Sequence, residues 1–159
     1  YEIMPSLVGS EMCIRDRDIR ISLANARGNI DSTEVAWTYF NLAEMIYTNL
    51  TEKPTSNIID INYYLDTTLK QYKMQNAEVY INNAIEIYQR LDQRFPGQHM
   101  SSEARTTALY GKLLMLCPER HDEALEQFDK ALTLYITLDN DNPGMYRQEI
   151  HTLHILYHL

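Results

Sequence analysis

The fold of this chain is decided by residues 124–138, which read ALEQFDKALTLYITL. Alanines stand at 124 and 131 and a phenylalanine at 128, and Leu134, Tyr135 and Leu138 continue the pattern. Spacings of three, four and seven residues put these side chains on one face of an α-helix. The alanines leave room on that face for another helix to come close. The stretch therefore predicts an amphipathic helix that packs against a second helix.

The same pattern occurs twice more upstream, and successive copies are 41 and 47 residues apart. Each copy has an Ala, a Phe or Ile, a second Ala, an aliphatic residue, a Tyr and a Leu. The copies are Ala36, Phe40, Ala43, Ile46, Tyr47 and Leu50; Ala77, Ile81, Ala84, Ile87, Tyr88 and Leu91; and Ala124, Phe128, Ala131, Leu134, Tyr135 and Leu138. Self-similarity at such a period indicates an array of helical repeats.

Local signals place the ends of these helices. The second and third copies share an ending, in which Asp92 precedes Pro96-Gly97 and Asp139 precedes Pro143-Gly144. Proline cannot continue a helix, and glycine suits the position just after one. Starts are predicted at Asp31, three residues ahead of Glu34 in a capping-box arrangement, and at Pro118-Glu119 with Asp122.

Further segments with helical spacing lie between the copies, at residues 19–26, 58–72, 104–114 and 150–156. A turn over residues 73–76 is predicted only because the repeat requires one there, since this stretch contains neither Gly nor Pro. No segment has the alternating pattern of a strand. The chain is therefore predicted to be all-α.

Residues 1–17 resemble the translation of a sequencing adapter, unlike the repeats that follow them. Read as codons, residues 7–16 are similar to the transposase-type adapter of short-read sequencing libraries, and residues 1–3 fit the end of a flow-cell primer. We expect residues 1–17 to be translated adapter, not native protein, and residues 18–159 to be a helical domain incomplete at both ends. Such a fragment is typical of assembled environmental or shotgun reads.

The composition limits the classes of partner. The 159 residues carry 22 acidic and 14 basic side chains, a net charge of -8, and form no basic stripe that would bind nucleic acid. No apolar run approaches the roughly 20 residues of a membrane-spanning helix, so no membrane partner is expected. Two cysteines cannot build a disulfide framework, which favours the cytoplasm.

Residues 18–159 resemble the tetratricopeptide repeat family. The second helix of that repeat carries Ala, three residues, Phe, two residues and Ala, a signature that residues 36–43 and 124–131 match and in which Ile81 replaces Phe. Tyr110, Gly111 and Leu114 approximate the first-helix signature. Because 41 and 47 exceed the usual 34 residues, the chain is most similar to the long-helix variants of kinesin light chain.

The resemblance implies a right-handed solenoid of antiparallel helix pairs, with about three and a half tetratricopeptide-like repeats. It also implies a non-catalytic scaffold whose concave groove binds a peptide or helix of a partner protein. In the repeat register, the groove is lined by four first helices. They contribute Asn25; Asn62, Tyr63, Asp66 and Lys70; Arg105 and Lys112; and His151, His154 and His158.

No segment carries the signature of a catalytic nucleophile, a paired-carboxylate site or a phosphate-binding loop, so neither enzyme activity nor a cofactor is expected. Two alternatives stay open. The repeats can be the sensory or regulatory region of a larger bacterial signalling enzyme. They can also form a metal-binding protein that uses the last-helix trio His151, His154 and His158, with Cys117 and His121 upstream.

The last predicted helix runs to Leu159 with no polar capping helix after it. Terminal repeats of a solenoid normally need such a cap, because their outer face otherwise stays apolar and exposed. The sequence therefore predicts an exposed apolar end and self-association through the C-terminal helix.

Overall fold

The computed structural model describes residues 32–52 and 61–159, and for residues 61–67 it describes the backbone. The predicted adapter segment and the helix predicted at 19–26 lie outside these residues. The described chain forms five α-helices and no strand, which confirms the all-α prediction. The helices are α1 (Thr33–Thr51), α2 (Ile61–Arg94), α3 (Met100–Leu114), α4 (His121–Asp141) and α5 (Arg147–Tyr157).

The helix starts follow the predicted chemistry with one shift. The N-cap of α1 is Ser32, whose hydroxyl accepts a hydrogen bond from the Val35 amide at 3.1 Å. The capping box predicted from Asp31 would have started the helix one residue earlier. A short 3₁₀ turn, Pro118–Arg120, leads into α4, with Pro118 in the first turn where its missing N–H costs nothing.

The structure confirms that the second and third copies end in the same way. An Asp92 carboxylate oxygen accepts a hydrogen bond from the Gly97 amide at 2.9 Å, and Asp139 accepts one from the Gly144 amide at 3.0 Å. Both glycines have positive φ, +81° and +87°, a conformation that other residues adopt only under strain. The two stretches therefore form the same helix-ending turn.

The turn predicted at residues 73–76 is wrong, because α2 continues through them as one helix of 34 residues. Lys73, Met74 and Gln75 are ordinary helix formers, and nothing local breaks the helix. Because this predicted turn is absent, the chain after residue 76 runs in the opposite direction, relative to α1, from the direction that the repeat predicts. Residues 77–91 consequently run antiparallel to α1, as the pairing of Tyr39 with Tyr80 and of Asn49 with Lys73 shows.

The three copies of the pattern form the core. All six of their alanines are fully buried, and Phe40, Ile81 and Phe128 are buried beside them. One cluster joins α1 to the C-terminal part of α2, and a larger one runs through all five helices. The Ala and Phe stripe is therefore packing surface, as its spacing predicts.

Each helix packs against the next in an antiparallel arrangement. Gln89 and Glu78 on α2 contact Glu103 and Tyr110 on α3, so residue numbers fall on one helix as they rise on the other. Between α3 and α4 the backbones come close at Gly111, which lies against the ring of Phe128. No helix in the described part of the chain is long and apolar enough to cross a bilayer.

Candidate functional site

The residues predicted to line a concave face are distributed over three helices. Asn25 lies outside the described residues, and Asn62, Tyr63 and Asp66 lie on the part of α2 whose side chains are not described. The remaining six residues are exposed or half-buried: Lys70 on α2, Arg105 and Lys112 on α3, His151 and His154 on α5, and His158 directly after α5.

Arg105 makes contacts that the sequence did not indicate. Its guanidinium carbon lies 6.0 Å from the ring centroid of Trp37 on α1, within reach of a cation–π interaction. It also interacts with the hydroxyl of Tyr135 on α4, whose pKa burial raises to about 12. Arg105 thus links α1, α3 and α4, and Trp37, which is 44% exposed, belongs to the same surface.

All three histidines are exposed, but only His151 and His154 lie on α5, because the helix ends at Tyr157 and His158 follows it. Within residues 32–52 and 61–159, however, no three His, Cys, Asp or Glu side chains come close enough to hold a metal ion. The Cys117 thiol donates a hydrogen bond to the Met74 sulfur at 3.5 Å, and burial raises its pKa. The described residues therefore give the metal hypothesis no ligand set.

An open groove of about 450 Å³ lies between α2 and α4, with α3 as its floor. Its two walls combine apolar and amide side chains, and its floor carries a carboxylate and a hydroxyl. The lining residues are Asn82, Ile85 and Gln89 on α2, Glu103 and Thr107 on α3, and Gln127, Asp129, Lys130, Thr133 and Leu134 on α4.

Glu103 is the carboxylate that α3 contributes to this groove. The Gln89 amide donates a hydrogen bond to its carboxylate at 3.4 Å. Burial raises the pKa of Glu103, and the nearby charge of Asp92 raises it further, whereas the hydrogen bond from Gln89 lowers it. The floor of the groove therefore holds a partly desolvated acid supported by a neutral donor.

A second polar cluster ties four elements together: α2, α3, the 3₁₀ turn and α4. Glu78 on α2 accepts a hydrogen bond from the Tyr110 hydroxyl at 2.6 Å and two from Arg120, at 2.7 and 2.8 Å. Arg120 also donates to Glu123, with its nearest contact at 2.7 Å. Arg120 lowers the pKa of Glu78. Every member has a partner, so this cluster is a structural clamp.

Sequence reasoning missed the groove because it placed the binding surface on first helices alone. A signal was nevertheless present. Asn82, Ile85 and Gln89 recur at intervals of three and four residues beside the core stripe of α2, and Gln127, Lys130 and Leu134 do so on α4. Such a second stripe marks a helix face next to the core face, but it does not show that two such faces flank one groove.

The groove, the Trp37–Arg105 contact and the Glu78 clamp are places where side chains from different helices meet. Polar side chains in such places can either stabilise the fold or bind a partner. Side chains that already contact one another stabilise the fold, whereas side chains that line an open groove can bind a partner. Comparisons of the chain with protein-family models, with curated proteins and with solved structures gave no match. The role of each of these three places therefore has to be inferred from its own side chains and their contacts.

Proposed function

We propose that this chain is a non-catalytic protein-interaction module, and that the groove between α2 and α4 holds a peptide or helix of a partner protein. The observation that carries the proposal is the open concavity to which three helices contribute side chains. Its volume of about 450 Å³ falls within the range of roughly 300–1,000 Å³ that ligand sites occupy.

The lining of the groove suits a polypeptide. Ile85 and Leu134 offer apolar contact from opposite walls, and burial of apolar surface supplies most of the affinity in such complexes. The amides of Asn82, Gln89 and Gln127 can both donate and accept hydrogen bonds, as the backbone of a bound peptide requires.

We place the partner in this groove instead of on the face predicted from the repeat register. Arg105 on that face already contacts Trp37 and Tyr135. His151 and His154 lie on α5 alone, with no second helix in the described residues facing them across a concave surface in the way that α2 and α4 face each other. The groove, in contrast, brings three helices to one concave surface, which a partner can contact from both sides.

The test is a selection of short peptides from a random displayed library, followed by affinity measurement with Thr133→Trp. Thr133 is exposed and lines the groove, so an indole at this position should fill it and weaken binding by about tenfold or more. Fluorescence anisotropy with labelled synthetic peptides measures the change.

Thr152→Trp on α5 is the matched control. Both threonines are exposed, and each hydroxyl donates to the carbonyl four residues earlier, at 3.0 Å for Thr133 and 2.9 Å for Thr152. The control should keep affinity within about twofold of the parent. The proposal fails if the library yields no binder, or if the two tryptophan variants bind the selected peptides equally well.

A further inference from the structure

The floor of the groove contains one carboxylate whose setting differs from that of the other acids nearby. Glu103 lies on α3, half-buried, between the walls formed by α2 and α4. None of the ion pairs among the described residues includes it. Its hydrogen-bond donor is the neutral amide of Gln89, at 3.4 Å.

The charges around Glu103 do not compensate it. The negative charge of the Asp92 carboxylate raises the pKa of Glu103, because a like charge disfavours ionisation. Asp129 and Lys130, two exposed residues of α4 with opposite charges, also line the groove. Glu103 and Asp129 against Lys130 leave the lining with one net negative charge, and the apolar side chains of Ile85 and Leu134 stand on either wall.

Glu78 is an acid of the same molecule whose negative charge is paired with a cation, Arg120. It has a similar degree of exposure, but Arg120 donates two hydrogen bonds to it and its pKa is lowered. No cation of the described residues forms an ion pair with Glu103, and its pKa is raised. A cationic side chain that enters the groove would give Glu103 the charge-assisted hydrogen bonds that Glu78 already has.

We propose that the groove selects partner segments that carry a lysine or arginine next to apolar residues, with the cation paired to Glu103 and the apolar residues against Ile85 and Leu134. This inference rests on the function proposed above, because it names the chemistry of the partner at the same groove. Charge complementarity in a partly desolvated site gives specificity for the partner more than it gives raw affinity. Glu103 is thus the residue that determines specificity.

The experiment compares peptides selected on the parent protein with those selected on Glu103→Gln. Glutamine keeps the shape of the side chain and can still accept a hydrogen bond from Gln89, so the fold should be retained, as circular dichroism will verify. Peptides that bind the parent in the groove should be enriched in Lys and Arg. Peptides selected on the variant should not be.

A double-mutant cycle then isolates the pair. Replacing the basic residue of a selected peptide by Gln should weaken binding to the parent by about tenfold, and binding to Glu103→Gln by less than about twofold. Glu126→Gln on α4, an exposed acid outside the groove lining, should behave like the parent.

The possible results separate the two proposals. Peptides that lose affinity with Thr133→Trp but carry no basic residue would overturn the role of Glu103 and leave the interaction module intact. An equal loss on the parent and on Glu103→Gln would do the same. A library with no peptide sensitive to Thr133→Trp would overturn both proposals.

Discussion

Gly111 is the position at which a single methyl group should disturb the fold most directly. A Cβ at this position would lie 2.5 Å from Cε1 of Phe128, 2.6 Å from Cδ1 and 3.2 Å from Cζ. Carbon atoms in contact prefer about 3.5–4.0 Å, so the ring or the helix must move by about 1 Å. Phe128 is 0% exposed and surrounded by core side chains, which leaves the ring no open space to enter.

Two opposing terms set the expected effect of Gly111→Ala. Alanine is the better helix former by about 1 kcal/mol. Overpacking of a filled core costs about 1–3 kcal/mol, and the short distances to a buried ring place this site toward the upper end. We therefore expect a net loss of about 1–2 kcal/mol in the free energy of unfolding. For a chain of this length the loss corresponds to a fall in Tm of roughly 2–8 °C.

Urea denaturation followed by far-ultraviolet circular dichroism measures this change. The midpoint should fall while the slope stays constant, because the surface exposed on unfolding is unchanged. Phe128→Leu removes Cε1 and Cζ, two of the three atoms that the new methyl meets, so the double variant should be more stable than the sum of the two single losses predicts, by at least about 0.5 kcal/mol. A Gly111→Ala protein as stable as the parent would refute the steric argument.

Two more predictions concern charge and association. The folded-state pKa of Glu78 is lowered by Arg120, so its contribution to stability is complete above its ordinary value of 4.5 and is lost as the pH falls through the lowered value. The free energy of unfolding of Glu78→Gln should therefore be lower than that of the parent by roughly 1–3 kcal/mol near pH 7. Denaturation near pH 3 should show a smaller difference between the two proteins. The same difference at both pH values would contradict this prediction. Ile155 and Leu159 expose 52% and 76% of their surface, so the predicted self-association through α5 should appear as a concentration-dependent mass in size-exclusion chromatography with light scattering. Ile155→Lys should shift the protein toward monomer, and a parent that stays monomeric at high concentration would count against the prediction.

The core could be predicted from the sequence because its determinants are local. The spacing of Ala124, Phe128 and Ala131 sets a helical face whatever the rest of the chain does. The Asp139 and Gly144 turn is equally local, since it needs one carboxylate to accept an amide hydrogen and one residue able to adopt positive φ.

Two features could not be predicted from local sequence: the continuity of α2 and the groove between α2 and α4. The turn at residues 73–76 was derived from the repeat, although Lys73, Met74 and Gln75 favour a continuous helix. The groove depends on how far α2 and α4 stand apart across α3, and that separation is set by contacts such as Gly111 with Phe128. Glu103 could not be distinguished from other acids by its spacing, because its setting comes from side chains on three separate helices.

The antiparallel packing of each helix on the next has a consequence for how the chain acquires its structure. From α2 to α5 the connections span residues 95–99, 115–120 and 142–146, each only a few residues long. Closing such short loops costs little entropy, and a protein dominated by contacts close in sequence folds fast. The helices from α2 onward can therefore add one at a time, each on the helix already formed, in the order in which a ribosome releases them.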